Sequence, residues 1–197
     1  MTIYPEDNRY IQQVMQNQEY GFINHYPVVV DCGANIGTFS FWIYNNATTI
    51  YALEPVETNV QLLQENIKNN NLTKIVVKQL AISDSSLVKT MERRGDPAEG
   101  GWVVSEAGDY VVQCLSMDDF LITEGIPYVD LLKLDTEGHE AAIVGARYFP
   151  YHKIGTIIGE LHGNKGTPIY DDVQAILTWY GYQYYELPNN HFLARKR

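Results

Sequence analysis

Asp31-Cys-Gly33-Ala34-Asn35-Ile-Gly37-Thr38 joins an apolar run to a helical one. Glycines at such a turn let the backbone approach a ligand closely, and the helix start offers free N–H groups. Asp31 is expected to accept hydrogen bonds from a ligand ammonium group. Asn35 and the amides of Gly37 and Thr38 are expected to hold a carboxylate. Ammonium plus carboxylate is the head of an amino acid. Glu54, followed by Pro55, ends the next β-like run. An acid there can accept both hydroxyls of a ribose whose 2′-hydroxyl is free. Ala81, Ile82 and Ser83 end the third run, where an adenine would lie. Ile82 offers an apolar face and the Ser83 amide a contact for ring nitrogens. An amino acid, a ribose and an adenine in one crevice describe S-adenosylmethionine. The pattern is neither G-x-G-x-x-G nor a phosphate loop.

A second group of residues closes later runs. Asp135 and Glu137 follow YVDLLKL, and Glu160 and His162 follow KIGTIIG. Strand neighbours lie about 5 Å apart, so these groups can share a pocket. His139 opens the next helix. Transfer to a hydroxyl needs alignment, exclusion of water and a base. His162 is the neutral candidate, and Asp135 or Glu160 the carboxylate alternative. Asp135, Glu160 and His162 also offer O, O and N ligands to a divalent metal. Glu137, His139 and Trp102 are the candidate acceptor contacts. The plainer readings are that Glu137 caps a helix, Glu140 makes a buried hydrogen bond and Trp102 packs a flap. Arg93 and Arg94 read as a solvated loop, Asp118 and Asp119 as a helix start, and Cys32 as core. His25, His152 and His191 read as surface or loop residues.

The elements that must position these groups follow from periodicity. Ile11, Val14 and Met15 mark a short amphipathic helix ending near Gly21. PVVVDCG, TTIYALEP and KIVVKQLAIS read as three strands, separated by helices over ANIGTFSFWIYNN and ETNVQLLQENIKNN. That β-α-β-α-β rhythm implies parallel strands. Residues 85–116 break it with SLVKTMERR, GWVVSEAG and DYVVQCLS, read as a small antiparallel insertion. After a short helix at SMDDFLITEG come a fourth strand, a helix over EGHEAAIVGARYF, a fifth strand and a helix ended by Gly181. YQYYEL and HFLAR form a terminal antiparallel hairpin around PNN. The fold class is therefore α/β, a doubly wound, mostly parallel sheet with helices on both faces.

The 197 residues fit one domain spanning 1–197, with residues 1–26 as an amino-terminal helix and cover. Apolar residues make up 45%, enough for a core. There are 24 acids against 14 bases, a net charge of −10. That argues against a nucleic-acid or anionic-membrane partner. Two cysteines make no disulfide framework, and the polar start reads as no signal sequence. No run reaches the length of a membrane span. A cytoplasmic protein is the expectation.

VVVDCGANIG, YALEPVETN, AISD, SMDDF and DLLKLDTEGHEAAIVGA together resemble the FkbM-type family of S-adenosylmethionine-dependent methyltransferases, from about Tyr20 to Gly163. Asp135-Thr-Glu137-Gly138-His-Glu140 is similar to its D-x-E-G-x-E signature. The resemblance implies a seven-stranded Rossmann-like class I methyltransferase sheet and O-methylation of a hydroxyl on a sugar or secondary metabolite. It maps the cofactor motif onto Asp31, Gly33, Asn35, Gly37 and Glu54. The segment before Asp31 is short, so a substrate cover must come from residues 1–30 or from a second subunit, which makes a homodimer one expected arrangement. The rival readings are an NAD-dependent oxidoreductase, lacking here the third glycine and the parallel ending, and a non-catalytic cofactor-binding relative.

Overall fold

The computed structural model describes residues 24–93, 101–162, 166 and 168–196. The expected amino-terminal helix and cover, Arg94 and Gly163 lie outside the described residues.

Seven strands form the main sheet. They are β1 (Tyr26–Cys32), β2 (Ala47–Leu53), β3 (Ile75–Lys78), β8 (Val129–Leu134), β9 (Ile154–Glu160), β10 (Tyr182–Glu186) and β11 (His191–Lys196), in the order β10-β11-β9-β8-β1-β2-β3. The pairs among β3, β2, β1, β8 and β9 are parallel, and β11 is antiparallel to both of its neighbours. The expected hairpin finish is present.

Period-two alternation explains why both faces are covered. Val30, Cys32, Leu132, Leu134 and Ile157 point into one core. There they meet α3 (Met117–Thr123), α4 (Glu140–Val144) and α5 (Pro168–Trp179) through Phe120, Ile143 and Leu177. Val29, Leu131 and Ile158 point the other way, onto α1 (Thr38–Ile43) and α2 (Glu57–Asn69) through Phe39, Phe41 and Leu63. β1 pairs with β2 on one side and β8 on the other. Strand order reverses there, and the carboxyl ends of β1 and β8 flank the crevice where such sheets take ligands.

Three local expectations are corrected. The third run is not one strand. After β3 the chain turns at Gln79-Leu80, and β4 (Ala81–Ser83) leaves the main sheet to pair in parallel with β7 (Tyr110–Ser116). Together with β5 (Val88–Arg93) and β6 (Trp102–Val104), these build a second sheet of order β4-β7-β5-β6. The expected antiparallel insertion is thus present, and it carries the end of the third run with it. The two helices beside the candidate site are also shorter than their patterns. α1 gives way to a tight 3₁₀ turn at Tyr44–Asn46, and α4 ends at Gly145. Among the described residues, no helix is long and apolar enough to cross a membrane.

The face assignment is testable on α3. Phe120 is fully buried while Ile122 is 64% exposed. Phe120→Ala should cost about 3–5 kcal/mol in urea denaturation, and Ile122→Ala should stay within about 0.5 kcal/mol.

Candidate functional site

β1 ends by folding its turn onto β2. The amides of Gly33 and Ala34 both donate to the Leu53 carbonyl, each at 3.0 Å. Gly33 sits at φ +78, and a methyl there would run into the Asp135 carbonyl oxygen, so only glycine lets β1 and the end of β8 approach this closely. Glu54 is buried. One oxygen accepts the Asn35 amide at 2.9 Å, and the other accepts the Val56 amide at 3.0 Å and Asn59 Nδ2 at 3.2 Å. Burial pushes its pKa up against those donors.

A cavity of about 410 Å³ opens above these ends. Gly33, Ala34, Asn35, Thr38, Glu54, Pro55, Ala81 and Ile82 line it on one side, and Trp102, Asp135, Glu137, His139, Glu160 and His162 on the other. The expected cofactor, catalytic and acceptor residues therefore share one space, with three exceptions. Asp31 does not reach the lining. It has no exposed surface, its Oδ2 accepts from Ser40 Oγ at 2.6 Å, and its Oδ1 lies 3.3 Å from Lys133 Nζ. The expected ammonium acceptor is instead an internal counter-ion. Gly37 is packed behind the lining, where a side chain would strike Leu63. Ser83 is buried, its hydroxyl 2.9 Å from His139 Nε2 and 2.8 Å from Asp84.

Lys133 lines the cavity and was not among the expected residues. It is cross-strand neighbour to Asp31. Its ammonium donates to the Gly33 carbonyl at 2.8 Å and lies 3.2 Å from Asp135. A lysine in the middle of the apolar run VDLLKL was the available signal, because a charge on a two-face-buried strand requires a partner.

At the far end, His162 stands among acids. Nδ1 is 3.2 Å from Glu140, and Nε2 is 3.4 Å from Glu137 and 3.7 Å from Asp135. Burial lowers the His162 pKa, but the Glu140 hydrogen bond and the three carboxylates outweigh it and push it up to about 9. The neutral imidazole base expected here is thus set against a hydrogen bond and three carboxylates that favour its imidazolium form. His139 goes the other way. Burial, then Lys89, lowers its pKa, with Asp84 and Glu140 opposing. Glu140 is fully buried and its Oε1 accepts the amides of Thr136 and Gly138, the buried hydrogen-bonding role expected for it. Glu137 caps nothing. It adopts φ +55 and turns toward His162 and the flap, and a side chain at Gly101 would run into its carboxyl.

Trp102 forms the flap wall. Its ring lies 4.9 Å from that of Tyr110, whose hydroxyl accepts the Glu57 amide at 2.8 Å. The insertion is thereby tied to the start of α2. His191, expected at the surface, is buried. Its Nδ1 lies 2.9 Å from the Asn189 carbonyl and its Nε2 3.8 Å from Glu160.

A histidine whose pKa is raised by folding adds stability that is complete below its unfolded value near 6.5 and is lost as pH climbs through its folded value. Urea stability should therefore fall between pH 6.5 and about 9, by up to about 3 kcal/mol. His162→Gln should flatten that decline.

The chain matches the family described as Methyltransferase FkbM domain over residues 31–184. It is 27% identical over 135 residues to the hexuronic acid methyltransferase AglP of Haloferax volcanii, covering 68% of this chain and 56% of that protein. The methyltransferase FkbM from Methylobacillus flagellatus KT superposes with a TM-score of 0.62 at 18% identity, over 94% of this chain and 47% of that one. M. capricolum TrmK, solved with S-adenosyl-homocysteine, superposes with a TM-score of 0.53 at 13% identity, over 93% of this chain and 68% of that one. The chain spans about half the length of AglP and of the Methylobacillus protein. With a turn, a buried acid and a D-x-E-G-x-E loop meeting in one cavity, and the family match running from Asp31 into β10, the chain belongs to the FkbM methyltransferase family.

Proposed function

We propose that the chain is an S-adenosylmethionine-dependent methyltransferase acting on a hydroxyl of a sugar or secondary metabolite. The observation that carries this reading is the one cavity at the β1–β8 switch point, with Glu54 at one end and Asp135, Glu160 and His162 at the other. The lining fits the cofactor in kind. Thr38 is buried, and its Oγ1 has no hydrogen-bond partner although the residue faces the cavity. A ligand carboxylate or ammonium would satisfy it. Glu54 already accepts three hydrogen bonds, which leaves one of its roughly four acceptor positions, on Oε2, for a ribose hydroxyl; a second hydroxyl would take the place of Asn59. Pro55, Leu80, Ala81 and Ile82 supply an apolar wall for a purine. Asn35 and Ala34 bound the amino-acid end, and Asp31 supports the turn from behind.

When bound, S-adenosylmethionine supplies a methyl group already activated on a sulfonium. The chain then has to orient the acceptor, exclude water and take one proton. A carboxylate oxygen of Asp135 or Glu160 takes the hydroxyl proton in this account. His162, 3.7 Å from Asp135, helps to hold that carboxylate in place. Trp102, Glu137 and His139 contact the acceptor. Asp135, Glu160 and His162 also offer ligand atoms that all lie within 4.8 Å of one another, close enough for a divalent ion. Of the two, the hydroxyl acceptor is the occupant we propose. A small molecule is the proposed partner, in keeping with the net charge of −10. A second copy of the chain as cover for the acceptor end belongs to the same proposal. The nicotinamide reading has no observation of its own to favour it.

Calorimetry with S-adenosylhomocysteine tests this reading. Binding in the micromolar range is expected, and Glu54→Ala should weaken it by about 1–3 kcal/mol with the fold checked by circular dichroism. Release of S-adenosylhomocysteine in the presence of a sugar panel should persist under a chelator. The absence of any binding at millimolar ligand would discard the reading.

A further inference from the structure

The two ring nitrogens of His139 stand in different settings. His139 lines the cavity, whereas Ser83, whose hydroxyl its Nε2 meets at 2.9 Å, is buried behind the lining. Ser83 Oγ also lies 2.8 Å from Asp84 Oδ1. That oxygen takes Lys89 Nζ and, at 3.3 Å, Ser85 Oγ as well. A chain of polar contacts thus runs from Lys89 of β5 through Asp84 and Ser83 at the end of β4 to His139 at the head of α4.

Donor and acceptor counting gives that chain one direction. The Lys89 hydrogen bond holds the Asp84 pKa down at about 2, so this carboxylate only accepts. The Ser83 hydroxyl has a single hydrogen. Given to Asp84, it leaves Ser83 Oγ with lone pairs alone, and the hydrogen between Oγ and His139 Nε2 belongs to the ring. The opposite assignment would set hydroxyl lone pairs against a carboxylate oxygen at 2.8 Å. Burial, then Lys89, lowers the His139 pKa, which leaves one ring hydrogen to place. With that hydrogen on Nε2, Nδ1 is bare. The two nitrogens of an imidazole point nearly opposite ways, so Nδ1 is turned from Ser83, and no hydrogen bond holds it among the described residues.

We propose that Ser83 is a positioning residue that fixes His139 with its hydrogen on Nε2, so that Nδ1 offers a lone pair to an O–H or N–H donor of the bound ligands. This rests on the methyltransferase reading and adds a specificity-determining contact to it. Two donors can reach a ring on this wall. One is a hydroxyl of the acceptor, since His139 shares the lining with Asp135 and Glu137. The other is the exocyclic amine of the purine, since Ala81 and Ile82 of β4 line the same cavity just before Ser83. A fixed bare nitrogen rejects a ligand that puts an oxygen lone pair in the donor's place, because no hydrogen then lies between the two atoms.

Nitrogen–proton correlation NMR on the full chain with isotopically labelled histidine tests this at neutral pH, with His139→Gln assigning the signal. A single tautomer with a bare Nδ1 is expected. Ser83→Ala should release it into a mixture of the two tautomers. Asp84→Ala, at an exposed position, should do the same and serves if Ser83→Ala melts early. S-adenosylhomocysteine and S-inosylhomocysteine then separate the two donors. If the Nδ1 resonance moves upfield with the first ligand and not the second, the donor is the purine amine. Calorimetry should then show a preference of about tenfold for the adenosyl ligand, narrowed by Ser83→Ala. Movement only when the methyl glycosides of glucose or galactose are added to the saturated protein makes the donor an acceptor hydroxyl. A hydrogen found on Nδ1, or an Nδ1 resonance that none of these ligands moves, would overturn the proposal and leave the methyltransferase reading standing. Failure of S-adenosylhomocysteine itself to bind in calorimetry would overturn both.

Discussion

Lys133 stands between Asp31 and Asp135 where β1 and β8 run side by side, and its ammonium also donates to the Gly33 carbonyl. Deleting one member of such a buried group typically costs about 3–5 kcal/mol, because the remaining charge is left without compensation. The strand register places Asp31 and Lys133 opposite each other on the face covered by α1, and Ser40 of α1 donates the hydrogen bond that completes the Asp31 carboxylate. One ammonium thus ties the glycine turn, the first helix and the acid that ends β8 into a single unit. This contact adds to the β1–β8 ladder, which continues to the Asp135 amide donating to the Cys32 carbonyl at 3.3 Å.

Around that unit the cavity divides by chemistry. Glu54 is held by backbone amides on the turn it serves, so shaping the turn and offering acceptor lone pairs are the same act. At the other end, Glu140 locks the Thr136–Gly138 loop and one nitrogen of His162, while Asp135 and Glu137 face the other nitrogen. Those contacts push the His162 pKa up. The flap adds the last wall, and Tyr110 ties it back to the start of α2.

The period-two runs and the intervening helical patterns were legible as a parallel sheet with an antiparallel finish, because burial on two faces forces that patterning. Gly33 and Glu54 were legible because a strand-to-helix turn and a strand-end acid have few other reasons to occur together. The roles of Asp31 and Lys133 were not. A carboxylate beside a glycine turn looks the same in sequence whether it faces a ligand or a lysine on the neighbouring strand, and only register tells them apart. His162 misled for a related reason. Its surroundings, Glu140 and Glu137, precede it by a helix and a strand and meet it only in the fold. The departure of β4 to a second sheet was hidden too, since Gln79-Leu80 carries neither glycine nor proline to mark the break.

Electron density for the chain crystallised with S-adenosylhomocysteine tests the central claim most directly, since it shows what the Lys133-held cleft was built around. The account requires the ribose diol within hydrogen-bonding distance of Glu54, the amino-acid tail against Thr38 and the Gly33 turn, and the sulfur aimed toward Asp135 and Glu160. A ligand seated elsewhere, or a ribose turned away from Glu54 with the cleft closed over by side chains, would contradict it.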